Sequence, residues 1–208
     1  LVPLKLLPYD NKNEVQVLVD MPESASLEAT AAVSQRVAQA LLRVPEVQAV
    51  AAFVGEPSPI DFNGMVRRHY QRQAPYLADL RLTLVDKLQR EHQSHAVVLR
   101  LRELLAPLEQ DGVRLKVVEV PPGPPVMSTL VAEVYGDTLT PYRDQQASAQ
   151  LLAQRLEREP HVVEVDTSVE DPQRRWRFVT DKTKAALSGV ATADINQLLA
   201  MANAGQVA

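Results

Sequence analysis

Val15-Gln16-Val17-Leu18-Val19-Asp20 is followed by Met21-Pro22 and then, from Ser26, by Val33, Val37, Leu41 and Val44. The first run is rich in Val and partly alternating, the pattern of a half-buried strand, and the proline breaks it. The second sets apolar residues four, four and three apart, one stripe along a helix. Ser26 is its expected capping hydroxyl, Glu28 complements the amino-terminal dipole, and Pro45 ends it. Val47 to Val54 reads as a second strand, and Leu80-Arg81-Leu82-Thr83-Leu84-Val85 alternates cleanly as a third. Ser94 is predicted to cap a second helix with Val97, Leu101, Leu104, Leu105 and Leu108 inward, and Pro107 and Gly112 mark its unwinding. Val113 to Val118 is a fourth strand. The order β-α-β-β-α-β predicts an α+β fold of the split βαβ, ferredoxin-like kind, two helices covering one face of a four-stranded antiparallel sheet.

Pro121-Pro122-Gly123-Pro124-Pro125 is too stiff and too poor in donors for sheet or helix, so it is the predicted boundary between residues 1–120 and 126–208. Beyond it the pattern restarts. Leu130 to Val134 reads as a strand. Thr140-Pro141 predicts a helix start with Leu151, Leu152 and Leu156 inward, Pro160 stops it, and Val162 to Val165 follows as a strand. The two segments superimpose without a gap at an offset of 115: Val15 on Leu130, Val37 on Leu152, Leu41 on Leu156, Pro45 on Pro160. This suggests a duplicated βαβ unit. Arg175 to Val179 is a predicted third strand, a helix begins near Asp181, and Thr192 is predicted to cap a last helix with Ile195, Leu198 and Leu199 inward. No fourth strand follows, so the second unit reads as incomplete and the chain as a piece of something longer.

Of the 208 residues, 46% are hydrophobic and 23% charged, with a net charge of −4, enough apolar content for a core and no basic surface suited to coating nucleic acid. No apolar run approaches the roughly 18–20 residues that span a bilayer. With no cysteine, disulfide scaffolds, thiolate catalysis and Cys-ligated zinc are excluded together. No nucleophile elbow, phosphate loop, dinucleotide fingerprint or zinc-protease helix occurs.

The connection from Gly55 to Tyr76 stands out. About 20 residues join two strands where hairpins need two to five, and connections of that length are commonly functional or mobile. It mixes flexible points (Gly55, Gly64), rigid ones (Pro57, Pro59, Pro75), apolar side chains (Ile60, Phe62, Met65) and cations (Arg67, Arg68, Arg72). Two readings stand at this point, a ligand-facing lip or a surface Ω-loop packed on its own sheet. His92 and His95 would need two further ligands to hold a metal, and neither Cys nor a nearby acidic cluster supplies them. The four methionines are dispersed over different elements, as packing residues are. Asp20, Asp86 and Asp181 read as strand-end caps rather than catalytic carboxylates.

Leu6-Leu7-Pro8-Tyr9-Asp10 through Val19-Asp20-Met21-Pro22, with Ser26-Leu27-Glu28-Ala29-Thr30, resembles the opening of the second large periplasmic loop of a resistance-nodulation-division (RND) efflux transporter. Pro45-Glu46-Val47, Ala74-Pro75-Tyr76, the proline run after Val120 and Gly189-Val190-Ala191-Thr192-Ala193-Asp194-Ile195-Asn196 are similar to that family in the same order. The resemblance implies two ferredoxin-like porter subdomains, the second interrupted by the docking-subdomain insertion, and no cofactor. It implies a cleft between them that admits a small-molecule export substrate, drug-like or otherwise amphiphilic. The Gly55–Tyr76 loop is then a gate carrying Ile60, Phe62, Asn63, Gly64, Met65, Arg67 and Arg68, longer and more basic than the gate expected of drug exporters. It further implies a homotrimer, a periplasmic adaptor protein, an outer-membrane channel, and residence in the periplasm on an inner-membrane protein whose membrane helices lie outside this sequence. The scattered methionines do not match the metal-exporting branch.

Two other classes fit less well. A regulatory module of tandem ferredoxin-like domains binding a metabolite usually completes its sheets. An acylphosphatase-type enzyme needs an Arg-bearing phosphate cradle where Met21-Pro22-Glu23-Ser24-Ala25 offers a carboxylate.

Overall fold

The computed structural model describes residues 11–119, 128, 130–162, 164–170 and 176–205. Strands β1 (Glu14–Asp20), β2 (Val47–Val54), β3 (Leu77–Leu84) and β4 (Arg114–Val118) form one sheet in the order β2-β3-β1-β4. Every pairing is antiparallel, with Val17 opposite Leu80 on one side of β1 and opposite Val117 on the other. Helices α1 (Leu27–Leu41) and α3 (Ser94–Leu105) supply the two crossovers, so strand order and direction are those the split βαβ pattern predicts.

Alternation along the strands decides the layers. Val15, Val17 and Val19 share a buried cluster with Leu80, Leu82, Leu84, Leu115 and Val117 from the sheet, and with Val33, Val37, Leu41, Val97, Leu101 and Leu105 from the helices. Leu105, not Leu104, faces this core; Leu104 is exposed. The intervening positions, Gln16, Leu18 and Asp20 on β1, Asp79 and Arg81 on β3, Lys116 on β4, occupy the other face, which no helix of the crossovers covers.

Ser26 caps α1 as expected, its hydroxyl accepting from Ala29 N at 3.3 Å. For α3 the cap differs. Ser94 is the first helical residue, and its N–H donates to Asn11 Oδ1 at 2.9 Å, so the capping oxygen comes from the approach to β1. Helix α3 runs into a 3₁₀ turn at Ala106–Leu108, where Pro107 cannot donate. Gly112 then turns the chain at φ +81 toward β4.

The later residues depart from expectation. Helix α4 (Tyr142–Leu156) forms at the predicted offset from α1, residue for residue. Leu151, however, is exposed, and no residue of α4 is fully buried. Thr140 does not cap it; its hydroxyl closes a turn on Asp137 Oδ1 at 2.7 Å and Pro141 holds the cap position. The predicted strands at Leu130 to Val134, Val162 to Val165 and Arg175 to Val179 are absent among the described residues. A strand is a pairing rather than a local state: alternation fits a segment for a ladder, but a neighbour must supply the hydrogen bonds. Here Leu130, Val131, Phe178 and Val179 are exposed.

The chain divides into two compact units, residues 1–169 and 170–208; the proline run at 121–125 lies outside the described residues. Within the second unit, Asp181 caps α5 (Lys182–Leu187) by accepting from Thr183 N and Lys184 N. Helix α6 (Thr192–Ala204) begins at Thr192 itself, without a side-chain cap, and Leu198 is exposed rather than inward. Among the described residues no helix is long and apolar enough to cross a membrane.

Candidate functional site

The Gly55–Tyr76 loop is pinned at its base by main-chain bonds, Gly55 N to Leu77 O at 2.8 Å and Met21 N to Tyr76 O at 2.9 Å. Gly55 has φ +76, a left-handed backbone that strains any residue with a Cβ, which favours glycine at this corner. Inside the loop a short helix α2 (Phe62–Val66) and a 3₁₀ turn (His69–Gln71) form. Asp61 nucleates α2 by accepting from Gly64 N at 2.5 Å.

Polar side chains seat the loop on the face of the sheet opposite the helices. Asp79, fully buried in β3, accepts from Arg72 Nε at 2.8 Å, Ser58 N at 3.1 Å and Gln16 Nε2 at 3.3 Å. Arg72 also meets Asp20 at 2.7 Å and donates to the carbonyls of Val19 and Ala78. From the sheet side Arg81 reaches into the loop, donating to Ser58 Oγ at 3.0 Å, Pro59 O at 3.0 Å and Asp61 at 2.7 Å. These are charge-assisted bonds in a partly dry setting, the strong class.

Burial pushes the Asp20 carboxyl up, but Arg72 and Lys116 outweigh it and hold the group below the usual carboxylate range. Asp61 is held low in the same manner by Arg81 and the Gly64 N–H. Burial pushes the His69 imidazole down to about 4; Asp79 and Asp61 oppose this, Arg72 and Arg67 add to it. His69 is therefore neutral at neutral pH.

Of the residues expected to form a gate, Ile60 and Phe62 are 66% and 65% exposed, and Met65 is 50% exposed. Arg68 is exposed, and it holds a left-handed backbone at φ 59. Asn63 and Gly64 are buried and Arg67 is half-buried. The loop is thus packed on its own sheet through polar groups, as the second reading of the sequence has it, and it leaves Ile60, Phe62 and Met65 exposed. Residues missed beforehand are Asp79, Arg81, Gln16 and Ser58. For Asp79, Arg81 and Gln16 the signal was present, charged and amide side chains at strand positions that alternate away from the core; Ser58, in the loop, carried none.

A second concavity of about 370 Å³ lies against α3 and β4, lined in part by Arg102, Leu105, Lys116, Glu157, Val162 and Glu164. Arg102 bridges it to Glu164 at 2.9 Å and Lys116 to Asp166 at 2.6 Å. His92 and His95 do not converge. His95 Nδ1 lies 2.8 Å from Glu119 and His92 3.7 Å from Glu46. Among the described residues no group of three or more His, Asp or Glu is placed to hold a metal ion. Met21 packs against the core, whereas Met65 and Met201 are exposed. Asp86 bonds Asn13 and the Leu88 N–H, as a turn residue does.

The model of the AcrB/AcrD/AcrF family matches residues 1–208. Comparison with curated proteins finds no match. Among solved structures, the chain is similar to a heavy metal efflux pump in two crystal forms. With crystal form II it shares 20% identity at a TM-score of 0.67 over 94% of this chain and 19% of that one. With crystal form I it shares 19% identity at a TM-score of 0.69 over 93% and 20%. The chain thus spans about a fifth of the length of those pumps, and likeness at this identity speaks for the fold.

Proposed function

The chain belongs to the AcrB/AcrD/AcrF family of RND transporters, and we propose that it is the periplasmic porter portion of a proton-driven efflux pump, in which the Gly55–Tyr76 loop gates a cleft that admits substrate. The observation that carries this is the loop's construction. Its base and polar side chains are fixed to the sheet, while Ile60, Phe62 and Met65 stand exposed at its surface. Exposed apolar side chains gathered within one loop offer a contact surface, and an amphiphilic small molecule is the class of substrate they fit. Arg67 and Arg68 beside them favour an anionic or polarisable portion.

In this reading residues 1–120 are the first porter subdomain, 121–125 a stiff connector and 126–208 part of the second. The concavity between α3, β4 and residues 157–165 is the wall along which substrate enters. This portion binds and gates; the proton relay belongs to membrane helices of the whole pump, which works as a homotrimer with an adaptor protein and an outer-membrane channel. Alternating access requires elements with two arrangements, and a loop held by ionic contacts rather than by a packed core suits that task. The similar solved structures are of a heavy metal efflux pump; the apolar loop surface here favours amphiphiles instead.

The test is the double substitution Phe62→Ala with Gly64→Pro in the full pump, which removes the exposed ring and the N–H that Asp61 caps. Export of large substrates should fall while small ones are spared. Unchanged resistance and an unchanged substrate range would overturn the gate.

A further inference from the structure

Four ionic contacts run across the sheet in series. Asp79 meets Arg72 at 2.8 Å, Arg72 meets Asp20 at 2.7 Å, Asp20 meets Lys116 at 2.7 Å, and Lys116 meets Asp166 at 2.6 Å. The row joins two places. Arg72 belongs to the Gly55–Tyr76 loop, and Asp166 follows directly on the segment that lines the concavity beside α3 and β4, to which Lys116 itself contributes. Asp20 stands at the centre because β1 is the central strand of this part of the sheet: its residue 20 pairs with Leu77 of β3 on one side and with Arg114 of β4 on the other.

We propose that Asp20 and Lys116 form a relay through which the state of the concavity's wall sets how firmly the loop is held. Asp20 is one anion shared by two cations. When Lys116 is drawn toward the concavity, Asp20 gives more of its charge to Arg72, and when Asp20 is neutralised each cation keeps only its outer partner, Asp79 or Asp166. The side chains of Arg72, Asp20 and Lys116 are 14%, 19% and 13% exposed, so solvent screens these contacts weakly; Asp166, at 62%, is the soft end. Both cations are also held elsewhere, Arg72 by the carbonyls of Val19 and Ala78 and Lys116 by Asp166, so a change at Asp20 shifts their position without releasing them. The relay deepens the gate reading, but its readout is loop mobility and not export, so either can fail alone.

The chain has no cysteine, so Phe62→Cys gives a single site for a nitroxide label at the exposed surface of the loop. In this background Asp20→Asn should raise the mobile fraction of the spectrum by about fivefold, the change that loss of one such contact brings, whereas Lys116→Met should lower it, because Asp20 then serves Arg72 alone. Asp166→Asn should raise it less. Lys116→Met should add nothing once Asp20→Asn is present, because the relay is already cut. Arg102→Met breaks another ion pair of the same concavity and should leave the label unchanged. Circular dichroism checks that each variant is folded; if Asp20→Asn is not, Lys116→Met alone decides. The relay is overturned if folded Lys116→Met leaves the label as it was or mobilises it, if Lys116→Met still changes the label once Asp20→Asn is present, or if Arg102→Met changes it as much.

Discussion

Helices α1 and α4 are the same length and stand 115 positions apart, yet one is core and the other is surface. Val33, Val37 and Leu41 of α1 are buried against the sheet. Their counterparts are Ser148, Leu152 and Leu156, of which Ser148 bonds back to the Asp144 carbonyl and none is fully buried. The difference teaches that a helical stripe becomes a core only when a sheet lies beneath it. The strands flanking α1 pair with β3 and β4, while the segments flanking α4 find no ladder among the described residues. Amphipathic pattern states what a helix is able to bury, and the neighbours decide whether it does.

The sharpest way to break the comparison is through the sheet's polar face, for which the α4 region has no equivalent among the described residues. Asp79→Ala leaves Arg72 buried beside a hole and should cost about 3–5 kcal/mol, read from the urea midpoint; a loss under about 1 kcal/mol would mean that water replaces the carboxylate and the seat is not dry. Next, Leu41→Ala should cost about 2–5 kcal/mol while Leu156→Ala, at the matching position, stays within about 1 kcal/mol. Equal losses would show α4 to be as well packed as α1. Hydrogen exchange should give the same ranking, α1 amides opening with the whole unit and α4 amides by local unfolding.

Acidity gives a smaller effect. His69 sits at about 4 against an ordinary 6.5, so the unfolded chain binds a proton that the packed loop refuses. Stability of the loop is therefore complete above about 6.5 and declines as pH falls toward 4. Asp20 and Asp61, held below the usual range, extend the loss at lower pH. His69→Gln should remove the upper part of this decline from the thermal-melt profile and leave the lower part. The smallest effect concerns caps. Ser26→Ala should cost about 1 kcal/mol and Thr140→Ala less than about 0.5, because only the former hydroxyl meets a helical N–H.

Much of the first sheet was legible because its information is local. Period-two Val and Leu runs, Ser26, Pro45 and Gly112 each act within a few residues. What was hidden is what depends on partners. Ser94 looked like a cap by its type, but Asn11 supplies the oxygen from a distant segment. Asp20 read as a strand-end cap and is instead shared by two cations that lie 52 and 96 positions further along the chain, Arg72 and Lys116. The loop's unusual length and mixed character were visible, as were Ile60, Phe62 and Met65; its seat on Asp79 and Arg81 was not, since a charged residue in a strand announces only that it faces away from the core. The strands expected around α4 failed for the same reason, pairing being a property of two segments.

The two main-chain bonds that close the base of the Gly55–Tyr76 loop involve no side chain beyond the glycine. The sheet's register is thereby insulated from whatever lies between them, and lengthening such a closed segment costs little, about 0.6 kcal/mol per doubling. A graft that keeps Ser58, Asp61 and Arg72 as footings and exchanges the residues around Phe62 should therefore inherit the scaffold intact.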